Sequence, residues 1–132
     1  MDTRALTRQA APRKLRITLT AGPAAAAAAR GEVRAAIRAW KLPVNPAVAV
    51  LLTGELVTNA LGHEAGRTIE LVISCAYGQL QVDVYDASPA SASRADAPPG
   101  AEAGRGLLAS LSSSCGYYRT PAGRAGYFTL AF

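Results

Sequence analysis

Glu55-Leu56-Val57-Thr58-Asn59-Ala60-Leu61-Gly62-His63 closes a long apolar run, and its reading governs that of the whole chain. Glu55, Asn59 and His63 stand four residues apart. At about 100° per residue this spacing stacks them along one face of an α-helix, with a slow drift from turn to turn. Val48, Val50, Leu51, Leu52, Leu56, Val57, Ala60 and Leu61 make the same segment apolar almost all round, so the sequence predicts a buried helix. Burying an amide or carboxylate without a partner costs roughly 2–7 kcal/mol, and more for a full charge. A polar stripe on such a helix therefore points to a ligand that satisfies it. A carboxylate one turn from an amide oxygen suits a hydrated hard cation and the phosphates attached to it.

Working outward, Asn45 is placed as an N-cap and Pro46 as a first helical residue, which opens this helix at 46 and carries it to about 62. Upstream, Lys14 to Thr20 alternates with period two as a half-buried strand does. Gly22-Pro23 breaks that strand. Ala24 to Trp40 then predicts a first helix with Ala29, Val33, Ala36, Ile37 and Trp40 on one face and Arg30, Arg34 and Arg38 on another. Downstream, Thr68–Cys75 and Gln79–Asp86 read as two strands of a hairpin turning through Tyr77-Gly78. Residues 87–104, rich in Ala, Ser, Pro and Gly, read as a long loop of the kind that covers binding sites. Gly104-Arg105-Gly106 is expected to open a short helix through Leu107, Leu108 and Leu111. Cys115–Arg119 and Gly126–Phe132 are expected to close the fold, joined by a turn through Pro121-Ala122-Gly123.

The order is thus β-α-α-β-β-loop-α-β-β. It predicts an α/β (α+β) two-layer sandwich, in which a mixed, mostly antiparallel sheet of about five strands carries helices on one face. A chain of 132 residues, half of them hydrophobic, fits one domain over 13–132 behind a loose leader at 1–12.

Charge and composition narrow the partners. The net charge of +5 is spread along the chain, which favours anionic ligands or acidic proteins. The early basic residues are scattered and have no aromatic residues between them, which argues against nucleic acid. The two cysteines, Cys75 and Cys115, lie in strand-like runs without metal-ligand spacing and read as reduced core residues. Asp2, Arg4 and Arg8 without a following apolar segment do not read as a secretory signal, and Ala24 to Ala29 is too short to span a bilayer. A soluble cytoplasmic protein is expected.

Three features carry the candidate chemistry. The first is the Glu55/Asn59/His63 stripe, although His63 equally fits a cation at a helix C-terminus. The second is Asp86, which ends a strand beside the small Ala87 and Ser88. There a flat ligand could approach, and a plain turn residue is the alternative. The third is Gly104-Arg105-Gly106, whose glycines let backbone approach an anion at a helix N-terminus.

In this order the three features resemble the GHKL (histidine-kinase-like) ATPases, and more closely their anti-sigma factor and serine-protein kinase branch. Glu55-Leu56-Val57-Thr58-Asn59-Ala60 with His63 is similar to that branch's N box. Asp86-Ala87-Ser88-Pro89 is similar to its first glycine box, and Gly104-Arg105-Gly106-Leu107 to its second. The resemblance runs from about residue 14 to 132. It implies that Asn59 coordinates Mg²⁺ bridging the phosphates of ATP, with Glu55 as general base. It further implies that Asp86 accepts from the adenine amino group and that Gly104 and Gly106 let a lid close while Arg105 neutralises phosphate. His63, Ser88 and Leu107 fall within the same boxes and are expected to line the nucleotide. Arg30 matches a first-helix arginine that binds the partner in anti-sigma members; a solvated charge is the alternative. The implied partners are a sigma factor and an anti-anti-sigma protein whose serine is phosphorylated, and the family often forms homodimers. Ser88 and Ala90 occupy places where the family pattern has glycine. That departure, with the basic first helix, supports a second reading, a non-catalytic interaction module of the same fold.

Overall fold

A computed structural model describes residues 12–20, 22–61, 68–86, 101–121 and 123–132. Its elements in chain order are β1 (Arg13–Thr20), α1 (Ala25–Ala39), α2 (Pro46–Leu61), β2 (Thr68–Ala76), β3 (Gln79–Asp86), α3 (Ala101–Leu111), β4 (Ser114–Thr120) and β5 (Gly123–Ala131). The strands form one open sheet in the order β1-β2-β3-β5-β4, and each neighbouring pair runs antiparallel. This is the expected α+β sandwich, but among the described strands no parallel pair contributes to it. The reason lies in the connections. Two helices separate β1 from β2, and together they return the chain to the end it left, so β2 comes back antiparallel. The link through α3 does make β4 parallel to β3, but β5 slots between them and pairs antiparallel with both.

The start of α2 and the end of α1 have readable causes. Asn45 Oδ1 accepts the amides of Ala47 at 2.9 Å and Val48 at 3.3 Å, which is the N-cap expected for α2. α1 stops because Lys41 takes a left-handed φ of 54° and the Leu42 amide reaches back to the Ile37 carbonyl at 3.0 Å, before Pro43 forbids continuation. Between β2 and β3, Tyr77 and Gly78 both have positive φ, 53° and 75°, as a two-residue hairpin of type I′ requires.

The core lies between the helices and one face of the sheet. Ala29, Val33 and Ile37 of α1 and Leu52, Leu56 and Val57 of α2 meet Leu71, Ile73, Leu80, Val82, Val84 and Phe128. Alternation along the strands sets which face each residue joins. By register, Asp86, Arg124, Gly126 and Tyr117 belong to the helix-covered face, whereas Asp83, Tyr85, Tyr118 and Tyr127 belong to the other. Cys75 in β2 and Cys115 in β4 are free thiols on the helix side, as their strand-like settings predict.

Two boundaries differ from the sequence expectation by more than one residue. α3 opens at Ala101, so residues 101–104 are helical rather than part of the loop. β5 begins at Gly123 rather than Gly126. Gly123-Arg124-Ala125-Gly126 has poor strand propensity of its own, and pairing with β3 on one side and β4 on the other enforces it. The leader at 1–11 and the loop at 87–100 lie outside the described residues.

Candidate functional site

α2 is not buried all round. Its inner face packs on β3 and β5, and on the side toward α1 a groove of about 580 Å³ opens along the two helices. Arg30 and Arg34 of α1 and Pro46, Ala47, Val50, Leu51, Gly54, Glu55 and Thr58 of α2 line it. Leu51 is 43% exposed there, a large apolar side chain left at the rim. Gly54 is what lets Arg30 lie across α2, because a Cβ at that position would stand 3.0 Å from Arg30 Nη1. Arg30 is thus half-buried against the helix.

Glu55 and Asn59, one turn apart, occupy two different settings. Glu55 is half-buried and opens into the groove beside the two arginines. The further rotation of about 40° per step turns Asn59 inward, where it is 7% exposed. Its Nδ2 donates to Tyr117 Oη of β4 at 3.4 Å. The predicted buried stripe is therefore half right. The amide is buried and partnered from the sheet, while the carboxylate is accessible from outside.

Behind Asn59 lies a cluster that the sequence reading missed. Tyr117 stands opposite Gly126 in the β4–β5 ladder. The Arg124 guanidinium carbon lies 5.2 Å from the Tyr117 ring centroid, a cation–π contact. Arg124 is in turn the cross-strand partner of Asp86, and both are more than nine-tenths buried on the helix side. The end of β3 thus carries a buried carboxylate with an arginine at the cross-strand position. Placing β5 from Gly126 hid this arginine, because Arg124 then falls in a turn.

The glycine pair of the predicted anion site is displaced. With α3 opening at Ala101, the helical amides left without an intrahelical partner are those of residues 101–103. Arg105 and Gly106 stand inside the helix, and Gly104 closes its first turn. A Cβ on Gly106 would meet nothing within 4 Å, so no packing within the described chain demands glycine there. Leu107 is 38% exposed, and Leu108 rather than Leu107 enters the core. His63 and Ser88 lie outside the described residues. Among the described residues no group of three or more His, Cys, Asp or Glu side chains could hold a metal ion by itself. Asn59 offers one amide oxygen, a donor of the kind that a magnesium ion takes alongside waters and phosphate oxygens. No described helix is long and apolar enough to cross a membrane.

No protein-family model matches this chain, and no curated protein matches it significantly.

Proposed function

We propose that this protein is a Mg²⁺-ATP-binding regulator of the histidine-kinase-like fold that transfers phosphate to a serine or threonine of a protein partner, in the manner of an anti-sigma factor kinase acting on an anti-anti-sigma protein. The observation that carries the reading is the division of labour on α2. Glu55 faces an open groove flanked by Arg30 and Arg34, and one turn on Asn59 is buried toward the sheet. A partner hydroxyl entering that groove reaches the carboxylate from outside, with two cations to attract an acidic docking segment. In the transfer the hydroxyl oxygen bonds to the γ-phosphorus, the bond from phosphorus to the β–γ bridging oxygen breaks, and Glu55 takes the hydroxyl proton. Asn59 is the residue that would ligate Mg²⁺, which supplies charge neutralisation on the phosphates. Asp86 would take the adenine amino group, and the helix-α3 residues Gly104, Arg105, Gly106 and Leu107 would adjoin the phosphates.

Titration of the purified protein with ATP, with and without Mg²⁺ and beside Asn59→Ala, tests the reading. Mg²⁺-dependent binding lost in Asn59→Ala supports it, and the absence of binding at millimolar ATP defeats it. For the chemical step, Glu55→Gln is expected to abolish transfer to a cognate partner while leaving ATP bound.

A second reading, an interaction module that uses the arginine groove without nucleotide turnover, draws on the Asn59–Tyr117 contact, which already engages the amide nitrogen. On that reading Arg30→Ala weakens partner binding, and ATP changes nothing.

A further inference from the structure

The Asn59 amide has two chemically unlike ends. A hard cation accepts the oxygen and is repelled by the NH₂, so a magnesium-binding asparagine must present Oδ1. We infer that Tyr117 is a positioning residue that fixes this orientation; the inference rests on the reading of Asn59 as the metal ligand. Tyr117 Oη accepts from Nδ2 of Asn59 on the β4 side, so Oδ1 is the end of the amide that the tyrosine does not engage.

The ring that does this is itself held from two other sides. At the cross-strand position, Gly126 has no Cβ. Were one present, it would lie 2.9 Å from Tyr117 Cε1 and 2.8 Å from Leu56 Cδ1, so glycine alone lets the ring and α2 close on this strand. Arg124 lies 5.2 Å from the ring centroid, within cation–π range. Arg124 is also the cross-strand neighbour of Asp86. One side chain therefore braces the tyrosine that orients the amide and adjoins the carboxylate that would read the base. Residues that orient a metal ligand by hydrogen bonding commonly govern affinity by about 10- to 100-fold.

The test is the Mg²⁺ dependence of nucleotide binding, measured by calorimetry at fixed ATP for the wild type, Tyr117→Phe, Asn59→Ala, Asn59→Asp and the double variant Asn59→Asp/Tyr117→Phe. Tyr117→Phe keeps the ring and its packing, and thermal melts check that the fold is retained. We expect Tyr117→Phe to raise the Mg²⁺ concentration at half-saturation by about tenfold, with ATP binding in EDTA unchanged. A carboxylate offers oxygen at both ends, so in the Asn59→Asp background the same change should have no further effect. Three results overturn the inference: an equal loss of metal-free ATP binding in Tyr117→Phe, an undiminished effect in the Asp background, or no change in the Mg²⁺ midpoint where Asn59→Ala does change it. If Asn59→Ala itself leaves the Mg²⁺ dependence intact, or no nucleotide binds, the reading of the site has failed and the inference fails with it.

Discussion

Gly126 of β5 and Leu56 of α2 meet so closely that a single added carbon on the glycine would lie 2.8 Å from Leu56 Cδ1. This contact seats the helix that carries Glu55 and Asn59 on the sheet, and the Tyr117 ring closes it from the β4 side. Overpacking a dense core forces side chains off their rotamers and typically costs about 1–3 kcal/mol. Gly126→Ala is therefore expected to lower the urea midpoint by an amount in that range. A midpoint unchanged or raised would mean that α2 is less firmly seated than the contact implies.

The sheet face turned away from the helices holds a buried carboxylate. Asp83 is 4% exposed, and its oxygens accept from Tyr118 Oη at 2.7 Å and from Gln81 Nε2 at 3.0 and 3.2 Å. The Tyr85 and Tyr118 hydroxyls lie 3.0 Å apart. Burial first, then the hydrogen bonds to Tyr85 and Asp83, push the Tyr118 phenol well above the ordinary tyrosine range. Because the folded state holds this proton more tightly than the unfolded chain, the stabilisation is complete below about pH 10, the ordinary tyrosine value, and declines as pH rises beyond it. Alkaline unfolding followed by circular dichroism should show that decline, and Tyr118→Phe should reduce its slope. At neutral pH the same variant should lose about 1–3 kcal/mol, since Asp83 forfeits its shortest partner. An identical alkaline slope in the variant would dissociate Tyr118 from the effect.

Most of the scaffold was legible because local chemistry fixed it. Asn45-Pro46, Tyr77-Gly78 and the alternation in Gln79–Asp86 act through backbone geometry and burial of adjacent residues, and each element formed where those signals lie. The site was legible only in part. Spacing placed Glu55 and Asn59 on neighbouring turns, but the packing of α1 and the sheet around α2 decides that one faces a groove and the other the sheet. Arg30 lying over Gly54 belongs to that packing and is a long-range contact. Tyr117 and Arg124 were missed for a related reason. They reach Asn59 and Asp86 only once β5 inserts between β3 and β4, and the strand start that delivers Arg124 has no propensity signal of its own.

Tyr77 is 94% exposed and is held at φ 53° by the hairpin, a conformation that costs an ordinary L-residue about 1–2 kcal/mol. Asparagine tolerates this region, and Asn-Gly is the favoured pair for the turn. Tyr77→Asn should therefore stabilise the protein by up to about 1 kcal/mol, read as a raised denaturant midpoint at constant slope. A fall in midpoint would indicate that the tyrosine ring makes a contact worth more than the strain.

Gly54 offers a separation of stability from function on one residue. In mid-helix, glycine costs about 0.5–1 kcal/mol relative to alanine. The atom an added Cβ would crowd is the far end of Arg30, at 3.0 Å, while the nearer Cδ stays at an ordinary 3.5 Å. The arginine can swing away at little cost, so Gly54→Ala should raise the urea midpoint by a few tenths to about 1 kcal/mol equivalent. The same swing removes the guanidinium from its place beside Glu55 in the groove. If the groove docks an acidic partner, Gly54→Ala should weaken partner binding as Arg30→Ala does, while leaving Mg²⁺-ATP binding at Asn59 untouched. A more stable variant with unaltered partner affinity would show that Arg30 does not act from the position Gly54 gives it.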